Sequence, residues 1–362
     1  MSGRLLSRLR DPRGSLLVLA LWMIAVVAIL SVSISEYVRQ KIALSDRLDR
    51  RNWLAGIAET GVTRVLYKLR QKKEAAEGYH GLNDTYTSAA GDVRMGEGAL
   101  ALSYPVRNPW TGQMQMRYGV EDEEGRFNVN VIDGKRIAKF IEVVAEAEED
   151  QAKEIAYAIV DWRDTNDSLS DPKFGAEDDD YEDLDPPYEA KDQPFESLDE
   201  LLLVRGMTPE IFERIQPFVT IYGPGTVNIN TAPMEVLMGL GMSKELAGKV
   251  VMYRAGQDGE EGTSDDRVFM QAANVSTELM KKVKLAGAES TMVSQMVSKG
   301  QLGVDSTHFR IRSQGKSMRK KQILEIEAVA DTDGVILSWS VSSPRRMSAP
   351  ELSLAATGTQ EG

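Results

Sequence analysis

The sequence predicts an α+β fold in which a long N-terminal helix packs on an antiparallel sheet that is interrupted by a large all-α insertion. Three observations predict it. An unbroken apolar run, residues 16–30, leads into a charged stretch of helical character. Alternating strand patterns occupy residues 99–131 and return at 306–342. Helical patterns fill residues 132–305 between them. One sheet domain carrying a helical insertion is therefore the simplest topology.

Residues 1–14 form a basic leader ahead of the apolar run, with four arginines and a single acid, Asp11. The segment from Ser15 to Ile34 covers 20 positions. As a helix it would span roughly 30 Å, the thickness of the hydrocarbon core of a bilayer. The basic leader predicts that the N-terminus is cytoplasmic and that the rest of the chain lies across the membrane.

Three kinds of N-terminal segment fit this pattern. A cleaved secretory signal would be followed by a polar, turn-rich start, whereas here a charged helix continues to about residue 75. An ordinary single-pass anchor stays open. The segment also resembles a class III, type IV pilin-like leader, which a prepilin peptidase would cut after Gly14 to leave Ser15 as the first residue.

The helix of residues 15–75 is predicted to dock on the sheet with its second half. Val62, Val65, Leu66 and Leu69 follow a helical spacing and form an apolar stripe. The first half could instead pack against helices of neighbouring subunits.

The rest of the chain is predicted in order from its local patterns. Residues 76–98 are a loop, residues 137–160 a helix, residues 161–193 an acidic loop, and residues 343–362 a disordered tail. Strands are expected at 99–106, 115–121, 126–131, 308–313, 321–330 and 335–341.

Within the insertion, a repeat with an offset of 35 residues starts at Ser197 and again at Ala232. Each unit reads as a helix, a Gly stop, a Thr or Ser cap and a second helix. The sequence thus predicts two helix-hairpin-helix-like repeats. Such hairpins can bind DNA phosphates or serve as packing units. Few basic residues lie near them, which favours packing and makes a nucleic-acid partner unlikely.

Composition excludes several classes of function. The chain has no cysteine and only two histidines, His80 and His308, which argues against a zinc enzyme or a Ser-His-Asp hydrolase. The net charge is −12, which is unlike a nucleic-acid binder. Aromatic residues are 7% of the chain, so a sugar cleft with paired carboxylates is not expected.

The acidic loop is the candidate metal site. Residues 142–200 contain 22 acidic and 4 basic residues, and hard cations such as Ca²⁺ take roughly 6–8 oxygen ligands. Side-chain oxygens stand on both sides of Gly175, from Asp161, Asp164, Asn166, Glu177 and Asp178. An EF-hand that starts at Asp164 fails, because Leu169 occupies the glycine position. The alternative, a solvated acidic surface loop, stays open.

Five motifs resemble one family, the K-type minor pseudopilin of the type II secretion system (general secretion pathway protein K). They are RGSLLVLALWMIA at 13–25, EEGRFNVN at 123–130, DWRDTN at 161–166, GAEDDDY at 175–181 and NINTAP at 228–233. The resemblance covers about residues 10–342. It implies a pilin-like fold and calcium at the acidic loop. Where the family usually has a second Asp, this chain has Asn166, which keeps a ligand oxygen and removes a charge.

The resemblance also implies a function and a location. The expected protein is non-enzymatic, cleaved after Gly14, methylated at Ser15 and anchored in the inner membrane, with its C-terminal domain in the periplasm. It would cap the pseudopilus tip with I- and J-type minor pseudopilins, start assembly on the inner-membrane secretion platform and support export of folded proteins across the outer membrane. The runner-up is a membrane-tethered helix-hairpin-helix DNA-binding protein.

One departure from other pilin-like proteins fits a tip subunit. Most of them carry Glu at the fifth position of the mature chain, where it neutralises a neighbour's amino terminus inside the membrane. The fifth residue after Gly14 is Leu19. A subunit without that carboxylate is expected to start an assembly without propagating it.

Overall fold

The structure, a computed structural model, describes residues 12–84, 92–348 and 351. It divides into two compact units, Met1–Trp53 and Leu54–Gly362. The leader residues 1–11 and most of the expected tail lie outside the described residues. Helix α1 runs from Pro12 to Glu74.

The first unit is helical throughout its described part. Its apolar side chains are exposed, with Leu16 at 67% and Trp22 at 69%. Among the described residues, α1 is the one helix that is long and apolar enough to cross a membrane.

The second unit contains the sheet and the insertion. The remaining helices are α2 (Gly134–Val144), α3 (Glu149–Arg163), α4 (Asp178–Glu182), α5 (Pro209–Ile215), α6 (Met234–Gly239), α7 (Lys244–Arg254), α8 (Val275–Val283) and α9 (Gly287–Ser298). The strands are β1 (Val93–Met95), β2 (Gly98–Arg107), β3 (Met114–Tyr118), β4 (Glu121–Asp122), β5 (Phe127–Asn128), β6 (Val219–Thr220), β7 (Val227–Asn228), β8 (Leu302–Gly303), β9 (His308–Ser317), β10 (Gln322–Asp331), β11 (Ile336–Val341) and β12 (Arg345–Arg346).

The main sheet is antiparallel, with the order β1-β2-β9-β10-β11. Strand β3 pairs with β2, β4 pairs with β9, and β12 continues along β10 beyond the end of β11. In this sheet β2 lies directly beside β9, although more than 200 residues separate the two strands in the chain.

Helix α1 packs on this sheet through one stripe of its second half. Leu54, Ala58, Val62, Val65 and Leu69 recur every three or four residues and are at most 2% exposed. They meet the side chains of one sheet face, including Ile311, Leu324 and Ile326. The predicted stripe is confirmed at three of its four positions, since Leu66 is only partly buried.

Two glycines let the helix approach the sheet closely. A Cβ on Gly315 would lie 2.1 Å from the carbonyl oxygen of Leu54, and a Cβ on Gly61 would lie 2.1 Å from Ser313 Oγ. The hydroxyl of Ser313 donates to the carbonyl of Ala58 at 2.7 Å. The helix and β9 are therefore in backbone contact at this point.

Several predicted elements are corrected. The expected strand 126–131 is limited to Phe127–Asn128, which pairs in parallel with β6 and lies outside the main sheet. The insertion is not all-α, because β7 and β8 form a second parallel pair. The helix expected at 137–160 is broken between Val144 and Glu149. Within the expected tail, β12 pairs with β10 and Met347 is buried.

The helical insertion contains an internal duplication, whose second half starts about 100 residues after the first and is shorter. Strand β5 precedes helices α2 and α3 and pairs with β6 at the end of the first half. Strand β7 precedes α6 and α7 and pairs with β8 at the end of the second half. The two helix-hairpin-helix-like segments at Ser197 and Ala232 occupy different places in this longer repeat, the first near the end of one half and the second near the start of the other.

Candidate functional site

Each half of the duplication is held by the same polar cluster, here called the Asn clamp. The first clamp consists of Asn128, Asn130 and Arg163, and the second of Asn228, Asn230 and Arg254. All four asparagines lie in the EEGRFNVN and NINTAP motifs. These motifs are therefore structural signatures of the two halves.

The two clamps share the hydrogen bonds of their second asparagine and of their arginine. Asn130 Oδ1 accepts from the backbone N–H of Phe195 at 2.7 Å, and Asn230 Oδ1 accepts from that of Phe269 at 2.8 Å. Arg163 donates to the carbonyls of Val129 and Ile132. Arg254 donates to those of Ile229 and Ala232 at 2.8 and 2.7 Å. In each half a long loop therefore starts at the arginine and ends at the phenylalanine.

A buried carboxylate connects the second clamp to the main sheet. Asp122 Oδ2 accepts from Asn228 Nδ2 at 2.9 Å, Thr231 Oγ1 at 2.6 Å and Ser306 Oγ at 2.7 Å. Burial, together with the neighbouring carboxylate of Glu124, raises the pKa of Asp122 to about 8. Asp122 lies where the chain leaves the sheet for the insertion, and Ser306 lies where it returns. The hydrogen bonds of Asp122 therefore hold the two connections together.

The acidic loop, residues 161–193, begins in the last turn of α3. Asp161 is fully buried, and its two oxygens accept from the backbone N–H groups of Ser170 at 2.8 Å and Ala176 at 2.7 Å. Gly175 is required here, because a Cβ would lie 2.4 Å from Asp161 Oδ2. Asp161 thus fixes the backbone of the loop at two points, Ser170 and Ala176.

The other expected ligands also shape the loop. Asp164 Oδ1 accepts from Asn166 N at 3.1 Å, and Asn166 Oδ1 accepts from Ser168 N at 3.1 Å. Asp178 Oδ1 accepts from Ala190 N at 2.8 Å. These bonds fold the loop back on itself.

Two carboxylate oxygens in the loop are buried without a hydrogen-bond partner in the described part of the chain, Glu177 Oε1 and Asp192 Oδ1. Burial, with the charges of Asp161, Asp164 and Asp192, raises the pKa of Glu177 to about 7. Burial, with Asp178 and other acids, also raises the pKa of Asp192. Buried oxygens that repel one another and lack donors are the environment that a cation relieves.

Asp192 was missed by sequence reasoning. Its buried, partnerless oxygen and its positive φ of 52° are features of the folded chain that the sequence does not show. Within residues 12–84, 92–348 and 351, no three acidic or histidine side chains converge on a metal-binding point. The carboxylate and amide oxygens of the loop are the donor type that Ca²⁺ prefers. Their side chains do not converge on one point in this structure.

The expected cleavage site, Gly14 and Ser15, lies within α1, whose side chains are described from Leu16 onward. In the first hairpin Arg205 is paired with Glu154 and Asp180, and in the second Lys249 is paired with Glu245 and Glu289. Paired cations are poor phosphate contacts, so the geometry does not favour the DNA-binding alternative.

Comparisons with known proteins agree with these observations. The sequence model of the family described as type II secretion system (T2SS), protein K matches residues 125–224, the first half of the duplication. No curated protein matches the chain. A solved structure of the GspK-GspI-GspJ complex from the enterotoxigenic Escherichia coli type 2 secretion system matches with a TM-score of 0.57 and 17% identity.

That structural match covers 85% of this chain and 100% of the matched chain, so it extends to the sheet and the second half of the insertion. At this level of identity the match concerns the fold, and it confirms the pilin-like α+β architecture expected from the sequence. The family match over residues 125–224 agrees with the family that the five sequence motifs resemble. Residues 125–224 of the chain are thus similar to the protein K family of the type II secretion system, and the chain as a whole has the fold of the matched structure.

Proposed function

We propose that this chain is a minor pseudopilin that caps the pseudopilus tip of a type II secretion system and acts without enzymatic turnover. The observation that carries the proposal is the fold match across the whole of a K subunit that was solved in complex with I and J subunits. The duplicated insertion supports it, because a bulky domain on a pilin-like frame would obstruct stacking of a further subunit. Leu19, in place of an acid, supports a subunit that starts assembly.

The proposed partners are I- and J-type minor pseudopilins, the prepilin peptidase and the inner-membrane secretion platform. The apolar segment 16–34 would hold the chain in the inner membrane before assembly, with the second unit in the periplasm. Assembly would then support export of folded proteins across the outer membrane.

We expect the chain, co-expressed with I- and J-type pseudopilins of the same system, to form a complex with one copy of each. Native mass spectrometry of the purified material measures this stoichiometry directly. The control is co-expression of the I- and J-type subunits without this chain. If the chain elutes alone as a monomer in both detergent and buffer, the tip assignment fails.

Calcium is proposed as the cation of the acidic loop. Glu177 and Asp192 would hold it through their partnerless oxygens, and Asp164, Asn166 and Asp178 surround the same loop. The ion would supply positive charge that fixes the loop against the α3 end. Asp161 would orient the loop backbone.

Calcium is expected to raise stability, by about 2.7 kcal/mol at a free concentration of 100 times Kd. Without calcium, stability should fall as pH rises. The pKa values of Glu177 and Asp122, about 7 and about 8, are raised by folding, so their contribution is complete at low pH and is lost as pH rises toward 8. Calcium should remove the Glu177 part of this loss.

Chemical denaturation between pH 5 and 8, with calcium or with a chelator, checks this expectation. Glu177→Gln should lose most of the calcium-dependent stabilisation. Glu182→Gln, at an exposed acid at the far end of the short helix that Glu177 precedes, should keep it. Equal calcium responses in the two variants would remove Glu177 from the proposed ligands.

A further inference from the structure

The end of the sheet at which the chain enters the second unit carries an unpaired basic surface. The β9–β10 turn reads Met318-Arg319-Lys320-Lys321, and all four residues are exposed. Arg346 is beside Gln322 in register on β12, and Arg94 is beside Ala99 on β1. We call Arg94, Arg319, Lys320, Lys321 and Arg346 the basic end.

Hydrogen bonds within the second unit locate this end. Ser313 of β9 donates to Ala58, and two residues later Gly315 meets Leu54. Strand β9 therefore runs toward the start of the unit, and the turn that follows Ser317 lies beyond Leu54. The apolar segment 16–34 precedes Leu54 in the chain, so the basic end is on the side of the unit from which the chain enters.

The cations of the basic end are not neutralised by acidic side chains of the described residues. No ion pair is found for these five residues within the described ranges, whereas Lys316 and Arg345 beside them are paired with Asp92 and Glu351. At the opposite end of the sheet, Lys73 is paired with Asp333 of the β10–β11 turn. The basic end therefore keeps together five cations that are unpaired among the described residues, on a chain whose net charge is −12.

We infer that the basic end binds the anionic headgroups of phospholipids at the membrane in which the chain is anchored. Each Lys or Arg near an anionic surface gains roughly fivefold in partition. Met318, 40% exposed at the tip of the turn, can enter the headgroup region. The inference rests on the proposed anchoring by residues 16–34.

The absence of cysteine allows a single-site test on the full chain. Met318→Cys, labelled with an environment-sensitive dye, is reconstituted in vesicles of phosphatidylcholine alone or with one third phosphatidylglycerol. Val335→Cys, exposed near the opposite end of the sheet, is the control position. Flotation of the vesicles checks anchoring separately.

The expected result is a blue-shifted, brighter dye at position 318 only with phosphatidylglycerol and no change at 335. The response should vanish near 1 M salt, where the Debye length is about 3 Å. The double change Lys320→Glu and Lys321→Glu should reduce it by about tenfold or more. The same change at the exposed pair Lys281 and Lys282 should leave it intact.

Protein that floats but gives no dye response, or responds equally in both lipids, overturns the inference and leaves the anchoring in place. A response that appears only when other pseudopilins are added overturns it in favour of a protein contact. Failure to float in either vesicle removes the proposed anchoring and the inference together.

Discussion

Gly315→Ala is expected to destabilise the second unit by about 3 kcal/mol, the upper end of the range for overpacked cores. The added Cβ would lie 2.1 Å from Leu54 O, 3.0 Å from Leu54 C and 3.3 Å from Ala58 N. All three are backbone atoms, so no side-chain rotation relieves the contact, and α1 must move away from β9. Denaturant unfolding measures the loss.

Gly56→Ala, in the helix α1 that Gly315 contacts, is the control. A Cβ on Gly56 would meet nothing within 4 Å, and the variant should gain up to about 1 kcal/mol from the higher helix propensity of alanine. If Gly315→Ala is as stable as the parent protein, α1 does not pack on β9 at backbone distance.

Arg254→Met is expected to cost about 3–5 kcal/mol, the range for removing one partner of a buried ion pair. Arg254 is 2% exposed, pairs with Glu261 and donates to the carbonyls of Ile229 and Ala232. Its loss leaves a carboxylate and two carbonyls with fewer donors in the second clamp. Urea unfolding of the variant measures the change in free energy.

Two further variants separate the causes. Adding Glu261→Gln to Arg254→Met should recover part of the loss, because it removes the uncompensated charge, although Arg117 also contacts Glu261. Arg267→Met, an exposed arginine nearby, should cost less than about 1 kcal/mol. A small cost for Arg254→Met would show that the clamp does not hold the second half together.

The frame of the fold was predictable because its signals are local and periodic. The α1 stripe and the long strands β9 and β10 each show the spacing of their element over several turns or residue pairs. The parallel pairs β5–β6 and β7–β8 have two residues per strand, too few to show alternation. Their asparagine motifs signalled the family without revealing the duplication.

The candidate site was predictable in part. The high density of acidic residues predicted a metal site in this loop with Glu177 among its ligands. In the structure one oxygen of Glu177 has no hydrogen-bond partner in the described part of the chain. The same pattern predicted Asp161 as a ligand, whereas both of its oxygens accept hydrogen bonds from backbone N–H groups. Asp192, near the end of the loop, lies close to Asp164 and Asp178 only because the loop folds back on itself, which depends on tertiary contacts.

The intact mass of the mature protein extracted from membranes tests the pseudopilin assignment most directly. The prediction is a chain that begins at Ser15 with a methylated amino terminus, because a prepilin peptidase would cut after Gly14. Retention of Met1, or cleavage near residue 34, would contradict that assignment.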